Sequence, residues 1–170
     1  MRIVAGTARG RKLTVPSNSK IRPTKDRVRE AIFNSLHSHG LVEDLRYLDL
    51  FAGTGSLGLE ALSRGANSVV FVDNNELSVN TITHNLQMLE FDSKAEVRHQ
   101  DAVMYLKEKR VFDVAILDPP YEFGLWNQLL SQIKSKVVVI ETSKIIALDA
   151  SWSVIKEQNY GQSKVLIAKK

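Results

Sequence analysis

Leu48-Asp49-Leu50-Phe51-Ala52-Gly53-Thr54-Gly55-Ser56-Leu57-Gly58 is an apolar strand that breaks into a glycine turn and runs on into a helix, Leu57–Leu62. Glycines at 53 and 55 accept positive φ without steric cost and let a ligand approach the backbone closely. Strand, glycine turn and helix in that order open a pattern in which strands and helices alternate, the mark of a parallel sheet with crossover helices. The spacing predicts strands near 46–51, 68–73, 95–99, 112–117 and 136–141, and helices near 56–64, 75–90, 101–109 and 125–134. Trp152–Gln158 and Ser163–Ala168, around Asn159-Tyr160-Gly161, read as an antiparallel hairpin at one edge of the sheet. The expected class is therefore α/β, a mostly parallel sheet with helices on both faces.

Ahead of this unit, Arg2–Ala5 and Arg11–Val15 read as a small hairpin turning through Gly6–Gly10. Pro23-Thr24 then opens a helix with Thr24 as N-cap and Asp26 in its first turn. Val28, Ala31, Ile32, Phe33 and Leu36 give that helix its apolar face, and Gly40 ends it. No linker divides the chain, so residues 1–170 are expected to form one domain, with 1–23 as an arm.

Gly53, Gly55 and Gly58 match the dinucleotide fingerprint G-x-G-x-x-G, and Asp73 ends the next strand 20 residues past the first glycine, where a ribose-binding carboxylate belongs. A hydride-transfer enzyme is therefore one reading. Asp49 argues against it. A carboxylate within the first strand would repel a pyrophosphate at the strand's end, whereas S-adenosyl-L-methionine (SAM), with a cationic amine and a sulfonium, tolerates one. The plain alternative is an Asp49 that caps nearby backbone N–H groups. Asp101-Ala102, past the third strand, is placed either to accept from an adenine amino group or to cap the following helix.

Asp118-Pro119-Pro120-Tyr121 follows Phe112–Leu117, a short apolar run that reads as a buried parallel strand. Two prolines lack N–H groups and have fixed φ, so the chain leaves the sheet on a stiff extended path. The Asp118 carboxylate, the Pro119 carbonyl and the Tyr121 ring then stand at the carboxyl edge of the sheet, where open α/β folds hold ligands. Two acceptors beside a flat aromatic surface suit a planar base carrying an exocyclic NH₂. This loop supplies amine acceptors and no proton relay, which favours methyl transfer over hydride transfer.

The 170 residues are 44% hydrophobic and 25% charged, ordinary for a globular chain long enough to bury a full core. There is no cysteine, which excludes disulfides, a thiolate metal site and a cysteine nucleophile, and no metal site is expected. No run reaches membrane-spanning length and Met1–Gly6 is not a leader, so the expected location is the cytoplasm, away from membranes. The net charge of +4 is uneven: residues 1–30 carry nine basic and two acidic side chains, while the rest carries 14 and 17. A basic arm on a mildly acidic body is the footprint of a nucleic-acid binder, although a solvated basic surface has the same composition.

The chain resembles the bacterial RsmD-type methyltransferases. The likeness rests on Arg2-Ile3-Val4-Ala5-Gly6 with Arg9-Gly10-Arg11, Arg22-Pro23-Thr24 with Asp26-Arg27-Val28-Arg29-Glu30, Leu48–Ala66 and the DPPY loop. The resemblance implies a Rossmann-like class I methyltransferase fold, a seven-stranded sheet in which the final hairpin adds the only antiparallel strand. It implies SAM-dependent methylation of the N2 amine of a guanine in 16S ribosomal RNA; naked RNA and a small-subunit assembly particle are both open as the substrate, and a monomer is the default expectation. It places Asp49, Phe51, Gly53 and Gly55 against the methionine part of SAM, Asp73 on the ribose, and Asp101 and Ala102 on the adenine. Asp118, Pro119, Pro120 and Tyr121 would hold the target base. Thr24 and Arg22 would lie near the crevice, and Arg2, Arg9, Arg11, Lys12 and Arg22 would meet RNA. An adenine-N6 methyltransferase and a catalytically silent RNA-binding factor remain the alternatives.

Overall fold

The computed structural model describes residues 1–16, 26–161 and 163–170. Helix α1 (Asp26–Ser38) precedes β1 (Arg46–Leu50), α2 (Ser56–Ser63), β2 (Ser68–Asp73), α3 (Glu76–Leu89), β3 (Ala95–His99), α4 (Ala102–Leu106), β4 (Phe112–Leu117), α5 (Trp126–Gln132) and β5 (Ser135–Thr142). Strands β6 (Ser153–Tyr160) and β7 (Ser163–Lys169) close the chain. The seven strands form one sheet in the order β3-β2-β1-β4-β5-β7-β6. Strands β1 to β5 pair in parallel, and β7 runs antiparallel to both β5 and β6. The expected class and the single antiparallel strand are both present.

Period-two alternation along the strands builds two cores. Tyr47, Val69, Phe71, Ile116, Val139 and Ile167 pack on one face with the apolar sides of α1, α2 and α3. Leu48, Val70, Val72, Ala115, Val138 and Leu166 pack on the other with α4, α5 and Trp152. Each central strand is covered on both faces, which is why it reads as a continuous apolar run.

The order also fixes where a ligand belongs. The chain winds one way from β1 to β2 and the other way from β1 to β4, so a crevice opens outside their carboxyl ends. Leu50 is level with Val72 and with Leu117. One residue further on, Phe51, Asp73 and Asp118 therefore stand side by side on that rim.

The expected N-terminal hairpin does not form as a pair of strands. Only Arg2 and Lys12 make a β-bridge, with the Ile3 N–H on the Arg11 carbonyl at 3.0 Å and the Leu13 N–H on the Met1 carbonyl at 3.1 Å. The reason lies in its other partners, described below. Helix α4 is also shorter than the 101–109 predicted, and Lys109 turns left-handed at φ 55. Thr24, the expected cap of α1, lies outside the described residues, as does Arg22.

Candidate active site

The glycine turn between β1 and α2 is made by three left-handed residues: Phe51 (φ 69), Gly53 (φ 57) and Gly55 (φ 75). The two glycines take this conformation freely, whereas Phe51 takes it at a cost of about 1–3 kcal/mol. Phe51 is held there by its N–H, which donates to the Val72 carbonyl at 3.0 Å. At Gly55 a Cβ would lie 2.9 Å from Ile82, and at Gly58 one would lie 2.2 Å from the Phe71 ring. So Gly55 answers a turn, and Gly58 lets α2 settle directly onto β2.

Asp49 points from β1 under this helix. Its carboxylate is 1% exposed and accepts the Gly58 N–H at 2.9 Å. Burial lifts its pKa to about 7; the Gly58 N–H opposes the rise and the Asp73 charge adds to it. Asp49 thus does what the plain reading expected, capping local backbone, and it is also a buried acid beneath the glycine turn.

Asp73 ties the rim together. One carboxylate oxygen accepts the Gly53 N–H at 2.7 Å and the other the Asn75 N–H at 2.9 Å. Each oxygen keeps a further lone pair, so a ribose hydroxyl can still be accepted there. Asn75 caps α3 through Leu77 and Ser78. Asp101 caps α4, accepting the Met104 N–H at 3.0 Å, with Ala102 buried behind it. Its helix-capping reading is therefore real; the adenine reading would use the carboxylate's remaining capacity.

The DPPY loop leaves β4 as the spacing predicted. Asp118 is half-buried, Pro119 buried, and Pro120 and Tyr121 exposed. The Phe123 N–H closes a turn on the Pro120 carbonyl at 2.9 Å. The Phe123 ring meets Phe51 at 5.1 Å and Trp126 at 5.4 Å, both edge-on. Lys144 Nζ, from the segment after β5, donates to the Phe123 carbonyl at 2.7 Å. Neither Phe123 nor Lys144 carries a motif, and only the fold brings them to the crevice.

The basic arm is clamped to the body by buried polar side chains. Glu60, fully buried on α2, accepts the Val4 and Ala5 N–H groups at 2.8 and 2.9 Å. Ser63 accepts from the Ala8 N–H and donates to the Ala5 carbonyl, at 3.0 and 2.6 Å. Asn85 on α3 pairs with both backbone groups of Thr14. These side chains replace strand pairing, which is why the arm shows only one bridge. Of the cations predicted to meet RNA, Arg11 donates to the Met88 carbonyl near the end of α3, and Arg2 lies 4.0 Å from Asp26. Arg9 and Lys12 are exposed. Among the described residues no group of three or more His, Cys, Asp or Glu is placed to hold a metal ion, and no helix is long and apolar enough to cross a membrane.

Residues 1–169 match the family model described as conserved hypothetical protein 95. The ribosomal RNA small subunit methyltransferase D of Haemophilus influenzae is 39% identical, the match covering 95% of this chain and 89% of that protein. The protein of the same name from Escherichia coli K12 is 33% identical over 95% of this chain and 86% of that one. The solved structure of the Escherichia coli protein yhhF superposes with a TM-score of 0.89 at 31% identity, covering 100% of this chain and 97% of that one. With a glycine turn and a DPPY loop on one rim of a class I methyltransferase sheet, the chain belongs to the RsmD family of methyltransferases.

Proposed function

We infer that this protein transfers the methyl group of SAM to the exocyclic N2 amine of a guanine in small-subunit (16S) ribosomal RNA. The observation that carries this reading is the DPPY loop at the β1–β4 switch point, in a chain 33–39% identical to two small-subunit rRNA methyltransferases along most of its length.

The residues of the crevice fit SAM. Asp49 is a buried acid whose pKa burial lifts to about 7, so a cationic ligand above the turn would favour its charged form. Gly53 and Gly55 leave the turn free of side chains, and Phe51 lines its start. Asp73 is level with Phe51 and suits the ribose hydroxyls; Asp101 and Ala102 suit the adenine. Bound there, SAM supplies the electrophilic methyl group.

A guanine N2 lone pair is delocalised into the ring, which makes the nitrogen a poor nucleophile. Asp118 and the Pro119 carbonyl each accept one of its N–H groups, turning the amine toward tetrahedral geometry with its lone pair facing the methyl donor. Pro120 stiffens the loop and Tyr121, half exposed, stacks on the base. The rate gain comes from alignment and from acceptors that stabilise positive charge developing on nitrogen. The guanine must leave its stack to enter. Arg9 and Lys12, with Arg2 and Arg22, hold phosphates and so position the RNA without reading its sequence, while Arg11 is turned onto the Met88 carbonyl.

The whole chain acts as one methyltransferase domain, a monomer in the cytoplasm, on 16S rRNA, either naked or within a small-subunit assembly particle. The deciding experiment incubates the protein with tritiated SAM and unmodified small-subunit rRNA, as naked RNA and as particles, with DNA alongside. Nuclease digestion should release the label as N2-methylguanosine from rRNA. Label on adenine N6, or on DNA, would replace this reading with the adenine-directed one; SAM binding without transfer would mark a silent factor.

A further inference from the structure

Phe123 stands where the two halves of the crevice touch. Its ring lies edge-on to Phe51 of the glycine turn and to Trp126 of α5, its N–H closes the turn onto Pro120, and its carbonyl receives the Lys144 ammonium. Pro119 and Pro120 have no N–H with which to pin the loop themselves. The Phe123 contacts are therefore major ties that set where Asp118, Pro119 and Tyr121 stand.

Lys144 is well placed to act through that carbonyl. Its own N–H donates at 3.1 Å to the hydroxyl of Thr142, a buried residue at the end of β5, so the root of the side chain is fixed to the sheet. Three strands then meet in one residue: β1 through Phe51, β4 through the DPPY loop, and β5 through Lys144. Phe51 is anchored to β2 in turn. A shift of Phe123 would move the base acceptors relative to the glycine turn.

We propose that Lys144 and Phe123 are positioning residues for methyl transfer, the ammonium locking the Asp118–Tyr121 loop against Phe51 and so setting the spacing between base acceptors and methyl donor. This rests on the methyltransferase reading. An exposed ammonium on a carbonyl adds little to global stability. Transfer between two bound groups, by contrast, is sensitive to displacements of an ångström. Loss of the contact is therefore expected to show in turnover and not in folding.

The test uses Lys144→Met, which keeps the chain length and removes the donor, and Lys144→Arg, which restores one. Phe123→Leu and Phe123→Tyr form the matching pair for the ring. Lys144→Met and Phe123→Leu should lower kcat by about tenfold or more, with the rRNA KM and SAM Kd within about twofold of the parent. Lys144→Arg and Phe123→Tyr should recover most of the loss. Hydrogen exchange at the Tyr121–Gly124 amides should speed up several-fold in Lys144→Met, with Tm unchanged. Unchanged kcat, a loss matched by an equal loss of SAM binding or Tm, or unchanged loop exchange would each overturn the proposal. Absence of transfer by the parent protein would sink the methyltransferase reading instead, while the exchange comparison still decides whether the lock exists.

Discussion

The wholly buried Glu60 carboxylate meets the Arg64 guanidinium at 2.7 Å, one helical turn along α2. It also lies 3.4 Å from the fully buried Arg29 of α1 and accepts both arm N–H groups. Arg29 in turn donates to the Arg2 carbonyl at 2.5 Å and to Asp26 at 2.9 Å. One carboxylate thus joins the arm, α1 and α2 below water's reach. Glu60→Gln removes one of the two carboxylates beside Arg29, leaving Asp26, and offers one acceptor oxygen in place of two. The expected loss is about 1–3 kcal/mol, the cost of leaving buried donors short of an acceptor, read from the urea midpoint at pH 7. A loss below about 1 kcal/mol would mean that the cluster is wetter than it looks.

Asp118 and Glu60 should separate cleanly by assay. Asp118 is half-buried at the strand end, and the proposed mechanism gives it a role in the chemistry and none in the clamp. Asp118→Ala should reduce kcat by about 10²–10³, the usual size for one preorganised electrostatic partner. SAM affinity and Tm should stay near those of the parent, because the substitution spares the glycine turn. Single-turnover transfer to rRNA at saturating SAM checks this; near-normal turnover would remove Asp118 from the mechanism.

Most of the sheet was legible because parallel strands are buried on both faces and therefore uniformly apolar, and every predicted strand from β1 to β5 lies within a residue or two of its place. Gly53 and Gly55 were legible for the same kind of local reason, a turn that only positive φ allows. The arm was not. Its backbone partners, Glu60, Ser63 and Asn85, lie 55 to 71 residues away, and no local period encodes them. Phe123 and Lys144 escaped too. One aromatic and one lysine are common surface residues, and their meaning comes from β4 and β5 being neighbours. Asp49 was legible as unusual, while its capping of Gly58 needed α2 to fold back over β1.

Asp49 also predicts a pH dependence. In the unfolded chain such a carboxyl titrates at 3.8, while in the fold burial raises it to about 7. Between those values the folded state holds a proton that the unfolded state has released, so its contribution to stability is full below about 4 and is lost as pH rises through about 7. Asp49→Asn removes the titration. The variant should gain on the parent, on the order of a few kcal/mol, between pH 5 and pH 8 in urea unfolding. A cationic methyl donor favours the charged form, so SAM binding should tighten as pH rises through about 7, with proton release visible by calorimetry in two buffers. Proton uptake on binding would contradict the placement of Asp49 beside the donor.

The arm offers the last separation, between cations that hold the fold and cations free to meet phosphate. Arg11 is turned onto the Met88 carbonyl near the C-terminus of α3, where a positive charge is worth about 0.3–1 kcal/mol, and Arg11→Ala should cost stability of that size. Arg9 and Lys12 are exposed on the same clamped segment, so their charges are held in place by Glu60, Ser63 and Asn85 without being consumed. If each neutralises one phosphate, the double variant Arg9→Ala/Lys12→Ala should reduce the slope of log K against log salt by roughly 1.4–1.8, the range between single-stranded and duplex nucleic acid, with Tm and SAM affinity unchanged. Binding titrations of rRNA at several salt concentrations read this directly. A slope equal to the parent's would put the RNA on another face of the molecule, because phosphate contacts cannot be removed without releasing fewer counterions.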